Sequence, residues 1–286
     1  MAVPVDSGRA QPDHPEVRPR VVATDMDGTL LRSDGSLSPR THDAIAAVEE
    51  AGVTVVFVTA RPPRRLDDFA DVVGAHGVAL CANGAYVYDV ARRAVTEQNL
   101  IERAVPESLM GDLRAAIPRI VFAVERDFGM AREDGFVSSI WGREGAVAER
   151  LTDLGEAPVG KLLGRCDDMD PTEFHERVAS VLAGRGELGY SGAVGLAEIT
   201  AKGVTKASGL ARWCGEHGFD ASEVWAFGDM PNDLPMLSWA GRAHAVANGH
   251  PEVRHVADET IPTNDDDGVA QVLERLAYRP TEQEAR

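Results

Sequence analysis

Asp25-Met26-Asp27-Gly28-Thr29-Leu30 follows directly on the apolar run Val21-Val22-Ala23. A short β-branched run that halts at two carboxylates two residues apart reads as a buried strand ending at a reaction centre. Gly28 lets the backbone turn sharply just past the strand. Asp25 and Asp27 therefore reach one small volume beyond the strand's C-terminal end, where open α/β sheets place their ligands. Carboxylates held that close repel unless a cation or a shared proton sits between them. An Asp-rich turn with Gly is also common on any surface, so the weight of the hexapeptide depends on the context the rest of the chain supplies.

Outward from it, short apolar runs alternate with helical segments. Val21 to Thr24 reads as a strand, Pro39 to Gly52 as a helix with Ser38 at its N-cap, and Val53 to Val58 as a second buried strand. Arg64 to Val73 reads as a second helix and Val78 to Cys81 as a third strand. This rhythm predicts a parallel sheet with right-handed crossovers. It resumes with helices at Lys206 to His217, Pro231 to Trp239, His250 to Val256 and Gly268 to Tyr278, and strands at Val224 to Phe227 and Ala243 to Val246. The middle differs: strand-like Ile120 to Val124 and Lys161 to Leu163 alternate with helical Pro106 to Ile117, Gly145 to Leu154 and Pro171 to Leu182. A separate α+β insert fits better than a continuation of the sheet. The expected layout is a discontinuous core (20–84 and 190–278), an inserted cap domain (85–189), a disordered lead-in (1–19, with four prolines) and a short tail (279–286).

Composition narrows the function. The chain has 286 residues, 44% hydrophobic and 26% charged, as in a soluble globular protein with a sizeable core. A net charge of −17 argues against nucleic acid or an anionic membrane as partner. An anionic substrate must be drawn in by local cations. Cys81, Cys166 and Cys214 are far apart, which fits reduced thiols in a cytoplasmic protein; Cys81 reads as a core residue. The histidines show no zinc-site spacing, and no apolar stretch spans a bilayer.

Three further element ends carry polar signatures. Thr59-Ala60-Arg61 follows the second strand, where a hydroxyl beside free backbone N–H groups suits an anionic oxygen or caps a helix. Gly228-Asp229-Met230-Pro231-Asn232-Asp233 follows Val224 to Phe227, and three oxygen-bearing side chains in five residues look like a hard-cation site. Lys202-Gly203-Val204-Thr205-Lys206 opens a helix, where a lysine opposes the macrodipole. That misfit makes Lys206 the favoured candidate for stabilising charge in the site, with Lys202 as the alternative. All four signatures stand in order at ends that converge on one face of the sheet.

Together they resemble the haloacid dehalogenase (HAD) superfamily of aspartate-dependent phosphohydrolases. DxDGT matches Asp25 to Thr29, the strand-terminal Thr matches Thr59, the helix-start Lys matches Lys206, and GDxxND matches Gly228 to Asp233. Thr59 lies 29 positions after Leu30, with no room for a domain, and Lys206 lies 147 positions after Thr59. The family's C2 cap position is thus the occupied one. Asn83-Gly84-Ala85 and Asn248-Gly249-His250-Pro251 resemble the Cof-like subfamily with its C2B cap, apart from Gly249, where Ala is more usual.

The resemblance implies a Rossmann-like α/β core and a Mg²⁺-dependent phosphomonoesterase acting on a small phosphorylated metabolite. It implies Asp25 as nucleophile and Asp27 as acid and base. Mg²⁺ would be held by the Asp25 carboxylate, the Asp27 carbonyl and Asp229, with Asp233 supporting the metal or Lys206. Thr59, Lys206 and Asn232 would hold phosphate, and Asn83 is a possible substrate contact. A phosphotransferase or mutase, or a non-catalytic regulatory protein on the same scaffold, are the alternatives. Arg126, Arg132 and Lys161 of the insert read as surface charges.

Overall fold

The computed structural model of the chain describes residues 18–70, 77–137 and 145–278. In chain order the elements are β1 (Val21–Thr24), α1 (Pro39–Glu50), β2 (Thr54–Val58), β3 (Val78–Cys81), β4 (Tyr86–Asp89), β5 (Ala94–Gln98), α2 (Val105–Ala116), β6 (Val121–Glu125), β7 (Met130–Glu133), β8 (Ala146–Ala148), β9 (Lys161–Arg165), α3 (Pro171–Leu182), β10 (Gly186–Gly189), β11 (Leu196–Ala201), α4 (Lys206–Glu216), β12 (Val224–Gly228), α5 (Leu234–Trp239), β13 (Arg242–Val246), α6 (Pro251–Val256), β14 (Glu259–Ile261) and α7 (Gly268–Ala277). Among the described residues no helix is long and apolar enough to cross a membrane.

Eight strands form the larger sheet, in the order β14-β13-β12-β1-β2-β3-β4-β5. The strands from β14 to β3 run parallel, and Thr24 at the end of β1 lies beside Phe227 of β12 and Phe57 of β2. Successive residues of a strand point to opposite faces. Val22, Val55 and Phe57 accordingly pack with Ile45 and Val48 of α1 and Leu273 of α7, while Val21, Ala23, Val56 and Val58 pack with Leu210 and Trp213 of α4 and Met236 of α5. Helices thus cover both faces, and the loops after β1, β2 and β12 leave the same edge side by side. Local chemistry agrees: the Ser38 hydroxyl accepts the N–H of Thr41, and Pro39 occupies the first turn of α1, where its missing N–H costs nothing.

Six strands form a second sheet, in the order β10-β11-β9-β6-β7-β8. Phe122, Val124, Leu162, Ala197 and Ile199 on one face pack under Leu109 and Leu113 of α2 and Phe174 and Val178 of α3. The alternate residues Glu125, Lys161 and Glu198 lie on the other face, and all three are buried.

Several expectations need correction. β4 and β5, expected in the insert, join the larger sheet as an antiparallel hairpin that buries Tyr86 and Tyr88 in the main core. β11, expected in the core, belongs to the second sheet. A strand's pattern reports which faces are buried and not which sheet it pairs with, so the structure shifts both expected cap boundaries by about one strand or hairpin. Gly145 to Leu154 is not a helix: Val147, Leu151 and Leu154 stand at helical spacing, but Ala146–Ala148 adds an edge strand parallel to β7, with Val147 exposed and Leu151 and Leu154 buried in the core under the second sheet. Arg64 to Val73 is expected helical, but its described part forms two 3₁₀ turns, Pro63–Arg65 and Asp67–Phe69, divided at buried Leu66. The rest of that helix, the lead-in through residue 17 and the tail fall outside the described residues.

Candidate active site

Asp25 stands just past β1, buried, with its N–H donating to the carbonyl of Phe227 at 3.0 Å. Lys206, the first residue of α4, is fully buried and reaches across to it: Nζ donates to Asp25 Oδ1 and, at 2.6 Å, to Asp233 Oδ1. The other oxygen of Asp233 accepts the N–H groups of Asp229 and Met230, each at 3.0 Å. Thr29 donates its hydroxyl to Asp229 Oδ1 at 2.9 Å. The DxDGT and GDxxND loops are thereby pinned to each other. Gly28, at φ +80°, permits the closest approach: a Cβ there would lie 2.4 Å from Asp229 Oδ2. Asn248 holds the same turn by donating to the Gly28 carbonyl at 2.8 Å. Gly249 lies against the backbone of Asp229, and a Cβ there would come within 3.2 Å of its Cα.

Asp25, Asp229 and Asp233 each offer an oxygen within 4.8 Å of the others, a set that could hold a metal ion. All three donors are hard carboxylate oxygens, as a magnesium or calcium site requires. Their electrostatics point the same way. Burial raises the Asp25 carboxyl well above its ordinary range, and the charges of Asp233, Asp229 and Asp27 add to this against the lowering effect of Lys206. Asp229 is pushed up to about 7, by burial first and Asp233 second. Burial works to lower the Lys206 ammonium, but Asp233 and Asp25 outweigh it and hold it raised and charged. One buried ammonium cannot neutralise three buried carboxylates, so the cluster is short of positive charge.

Asp27 faces another way. Its carboxylate is 53% exposed and takes both arms of the Arg61 guanidinium, at 2.6 and 2.7 Å. The sequence signal for Arg61 is a charged residue two positions past Thr59 on this edge of the sheet. Thr59 is buried at the end of β2, where its hydroxyl accepts the Arg61 N–H at 3.1 Å. Asn83, buried at φ +57°, donates to Glu198 at 2.9 Å, and Asn232 donates to Asn83 Oδ1 at 3.3 Å. The alternative cation, Lys202, is exposed.

The site opens into a cavity of about 130 Å³ between the two sheets, lined by Asp25, Asp27, Arg61, Asp229, Ser191 and Glu198 among others. Thr59 and Lys206 do not line it. A neighbouring cavity of about 210 Å³, behind Asn83 and Asn232, is lined by Tyr190 and Pro231 and holds none of the clustered aspartates. The insert's lysine is not a surface charge: Lys161 is fully buried, donates to the Ala60 carbonyl at 2.7 Å and lies 3.7 Å from Glu198. Arg132 is likewise buried, its guanidinium donating to the carbonyls of Glu133 and Phe136. Arg126 is part-buried and donates to the Leu154 carbonyl at 2.8 Å. Long cations in a sheet covered on both sides find partners instead of solvent, which a surface prior cannot foresee.

Comparison with known proteins agrees with this geometry. The chain is 28% identical to the Bacillus subtilis 5-amino-6-(5-phospho-D-ribitylamino)uracil phosphatase YcsE over 259 residues, 89% of this chain and 94% of that protein. It is 28% identical to the Escherichia coli pyridoxal phosphate phosphatase YbhA over 270 residues, 89% and 97% of the two chains. The crystal structure of a haloacid dehalogenase-like hydrolase from Bacteroides thetaiotaomicron superposes with a TM-score of 0.74 at 25% identity, covering 90% of this chain and 99% of that one. A model of the haloacid dehalogenase-like hydrolases matches residues 22–273, and the chain belongs to that family.

Proposed function

We propose that the protein is a Mg²⁺-dependent phosphomonoesterase that hydrolyses a small phosphorylated metabolite through an aspartyl-phosphate on Asp25. The observation that carries this reading is the Asp25 carboxylate, fixed by Lys206 at the end of β1 beside Asp229 and Asp233. The names of the two relatives, both phosphatases of small phosphorylated compounds, support it.

The Asp25 carboxylate, the Asp27 carbonyl and Asp229 are the ligand set, with Asp233 orienting the Asp229 backbone and Lys206. When bound, the ion supplies the positive charge that lets an anionic nucleophile meet an anionic phosphate. An Asp25 oxygen forms a bond to phosphorus as the ester P–O bond breaks, and the leaving alkoxide takes a proton from Asp27. A water then gives a proton to Asp27 and its oxygen bonds to phosphorus, releasing phosphate and restoring Asp25. Because the Arg61 fork occupies both Asp27 oxygens, this acid–base work requires the fork to shift towards the incoming phosphate. Lys206, the Thr59 hydroxyl and Asn232 are the groups for the phosphoryl oxygens, and Asn83 is one for the substrate. The carboxylate-lined cavity beneath the second sheet gives the reaction a partly dry setting.

Phosphate release from p-nitrophenyl phosphate with and without Mg²⁺ tests the reading. Turnover should depend on the ion and vanish in Asp25→Asn with the fold intact by circular dichroism. Full activity in that variant would discard the assignment.

A further inference from the structure

The exposed-looking face of the second sheet carries the proposal. Helices α2 and α3 cover one face, so Glu125, Lys161 and Glu198 on the other should meet water. They do not: Lys161 is 0% and Glu198 2% exposed. A buried ion pair is weak evidence for stability, because apolar residues of the same size close an interface as well or better. A pair kept at this place calls for a functional account.

Glu198 supplies one. It lines the same cavity as Asp25, Asp27 and Asp229, and of the described residues lining that cavity only Ser191 and Glu198 lie beyond the larger sheet and its loops. Its carboxylate is aimed from several sides. Oε2 accepts from Asn83 Nδ2 at 2.9 Å and faces Lys161 Nζ at 3.7 Å, and Oε1 accepts from the Ser191 hydroxyl at 3.0 Å. Each carboxylate oxygen has two lone-pair sites, so this donor set fixes the group and leaves it acceptor capacity. Lys161, bonded to the Ala60 carbonyl, anchors the pair against the loop that carries Arg61 and acts as a positioning residue.

We propose that Glu198 is a specificity-determining residue, accepting a hydrogen bond from a hydroxyl on the leaving group and disfavouring a leaving group with a carboxylate or second phosphate at that place. This rests on the phosphomonoesterase reading above. The ester's own charge is met by Lys206 and the metal ligands' ion, whereas a second anion would sit against a fixed carboxylate whose lysine is already engaged. A site built to pair with a hydroxyl rejects the analogue that lacks one, since its buried acceptor is then left unpaired.

The test compares kcat/KM for sn-glycerol 3-phosphate, propyl phosphate and 3-phosphoglycerate in the full chain with Mg²⁺. In Glu198→Gln the preference for glycerol phosphate over propyl phosphate should fall by about tenfold or more. The relative rate with 3-phosphoglycerate should rise by a similar factor. A merely structural role lowers all three by one common factor, so unchanged ratios overturn the inference. If Glu198→Gln does not fold, Ser191→Ala should shift the first ratio in the same direction, and an unmoved ratio there also overturns it. A wild-type protein that turns over p-nitrophenyl phosphate but shows no preference for glycerol phosphate over propyl phosphate overturns this inference alone. Failure on every ester, p-nitrophenyl phosphate included, removes the phosphatase reading and this one with it.

Discussion

Lys206 Nζ sits 2.6 Å from Asp233 Oδ1, and the opposite oxygen of that aspartate accepts the N–H groups of Asp229 and Met230. Through this one carboxylate the first residue of α4 sets the position of the loop that follows β12. Lys206 also donates to Asp25, so a single ammonium ties together a nucleophile candidate and a metal-ligand candidate.

Lys206→Met should therefore damage both stability and activity. Removing one partner of a buried ionic cluster costs roughly 3–5 kcal/mol, because uncompensated carboxylates remain. Unfolding of the metal-free variant in urea should show a loss of that order, with part of it returned by saturating Mg²⁺. Loss of a charge placed against the transferring phosphoryl group lowers kcat by about 10²–10³. A variant with wild-type stability and rate would mean that the cluster does not depend on its cation.

Asp27 is separated from that cluster, half exposed and clasped by Arg61. An acid–base residue makes a prediction that a metal ligand does not. p-Nitrophenolate is a good leaving group and needs little protonation, whereas hydrolysis of the acyl phosphate still needs a base. Asp27→Asn should thus release a burst of about one equivalent of p-nitrophenol per enzyme and then stall. Quench-flow shows the burst directly. Slow turnover without one would move Asp27 out of the second step.

Much of this arrangement was legible in the chain, and the reason is geometric. Asp25, Lys206 and Asp229 sit at the ends of elements whose parallel packing forces them to one edge, so sequence order alone brings them together. Lys206 was marked by its misfit with the helix dipole, and the structure shows what outweighs that misfit: two carboxylates on its ammonium. Glu198 and Lys161 are illegible in the chain because each depends on contact between the second sheet and the first, which no local pattern encodes, whereas Arg61 stands just past a strand of the larger sheet and pairs with Asp27 of the adjacent loop. β4 and β8 escaped for a related reason: Tyr86–Asp89 and Ala146–Ala148 are defined by the partner strand more than by their own residues.

The raised carboxyl of Asp229, at about 7, makes the metal-free protein pH-sensitive in an unusual direction. An aspartate that titrates near 3.9 unfolded and near 7 folded keeps its proton in the folded state over that interval. The folded protein then binds more protons than the unfolded chain, so this group's contribution falls as pH rises from about 4 to 7. Burial dominates the shift, with Asp233 next, and a bound divalent ion relieves both. The rise in Tm produced by Mg²⁺ should accordingly be larger at pH 8 than at pH 5.5. In Asp229→Asn the metal-free protein should gain stability at pH 8 and lose most of its response to Mg²⁺. Equal Mg²⁺ shifts at both pH values would show that the carboxyl is ionised throughout.

His244 on β13 predicts the opposite slope at lower pH. Its ring is fully buried, stacked on Phe227 at 4.5 Å and tilted against Trp225 at 5.2 Å. Glu259 faces it at 3.6 Å but is shared with Arg242 and Arg275, and Arg242 itself packs over the Trp225 ring. Burial first, and the positive charge of Arg242 second, lower the imidazole to about 3, against a weaker raising effect from the Ala226 backbone. The unfolded chain takes up a proton near 6.5 that the folded protein refuses until about 3, so stability is lost as pH falls through this window. At 1.36 kcal/mol per unit the loss attributable to this ring at pH 4.5 is on the order of 2–3 kcal/mol. His244→Phe keeps the stack on Phe227 and removes the titration. Urea unfolding at pH 7.0 and pH 4.5 should show a smaller acid loss in the variant than in the wild type by about that amount. Identical losses would place the acid sensitivity in the paired carboxylates instead.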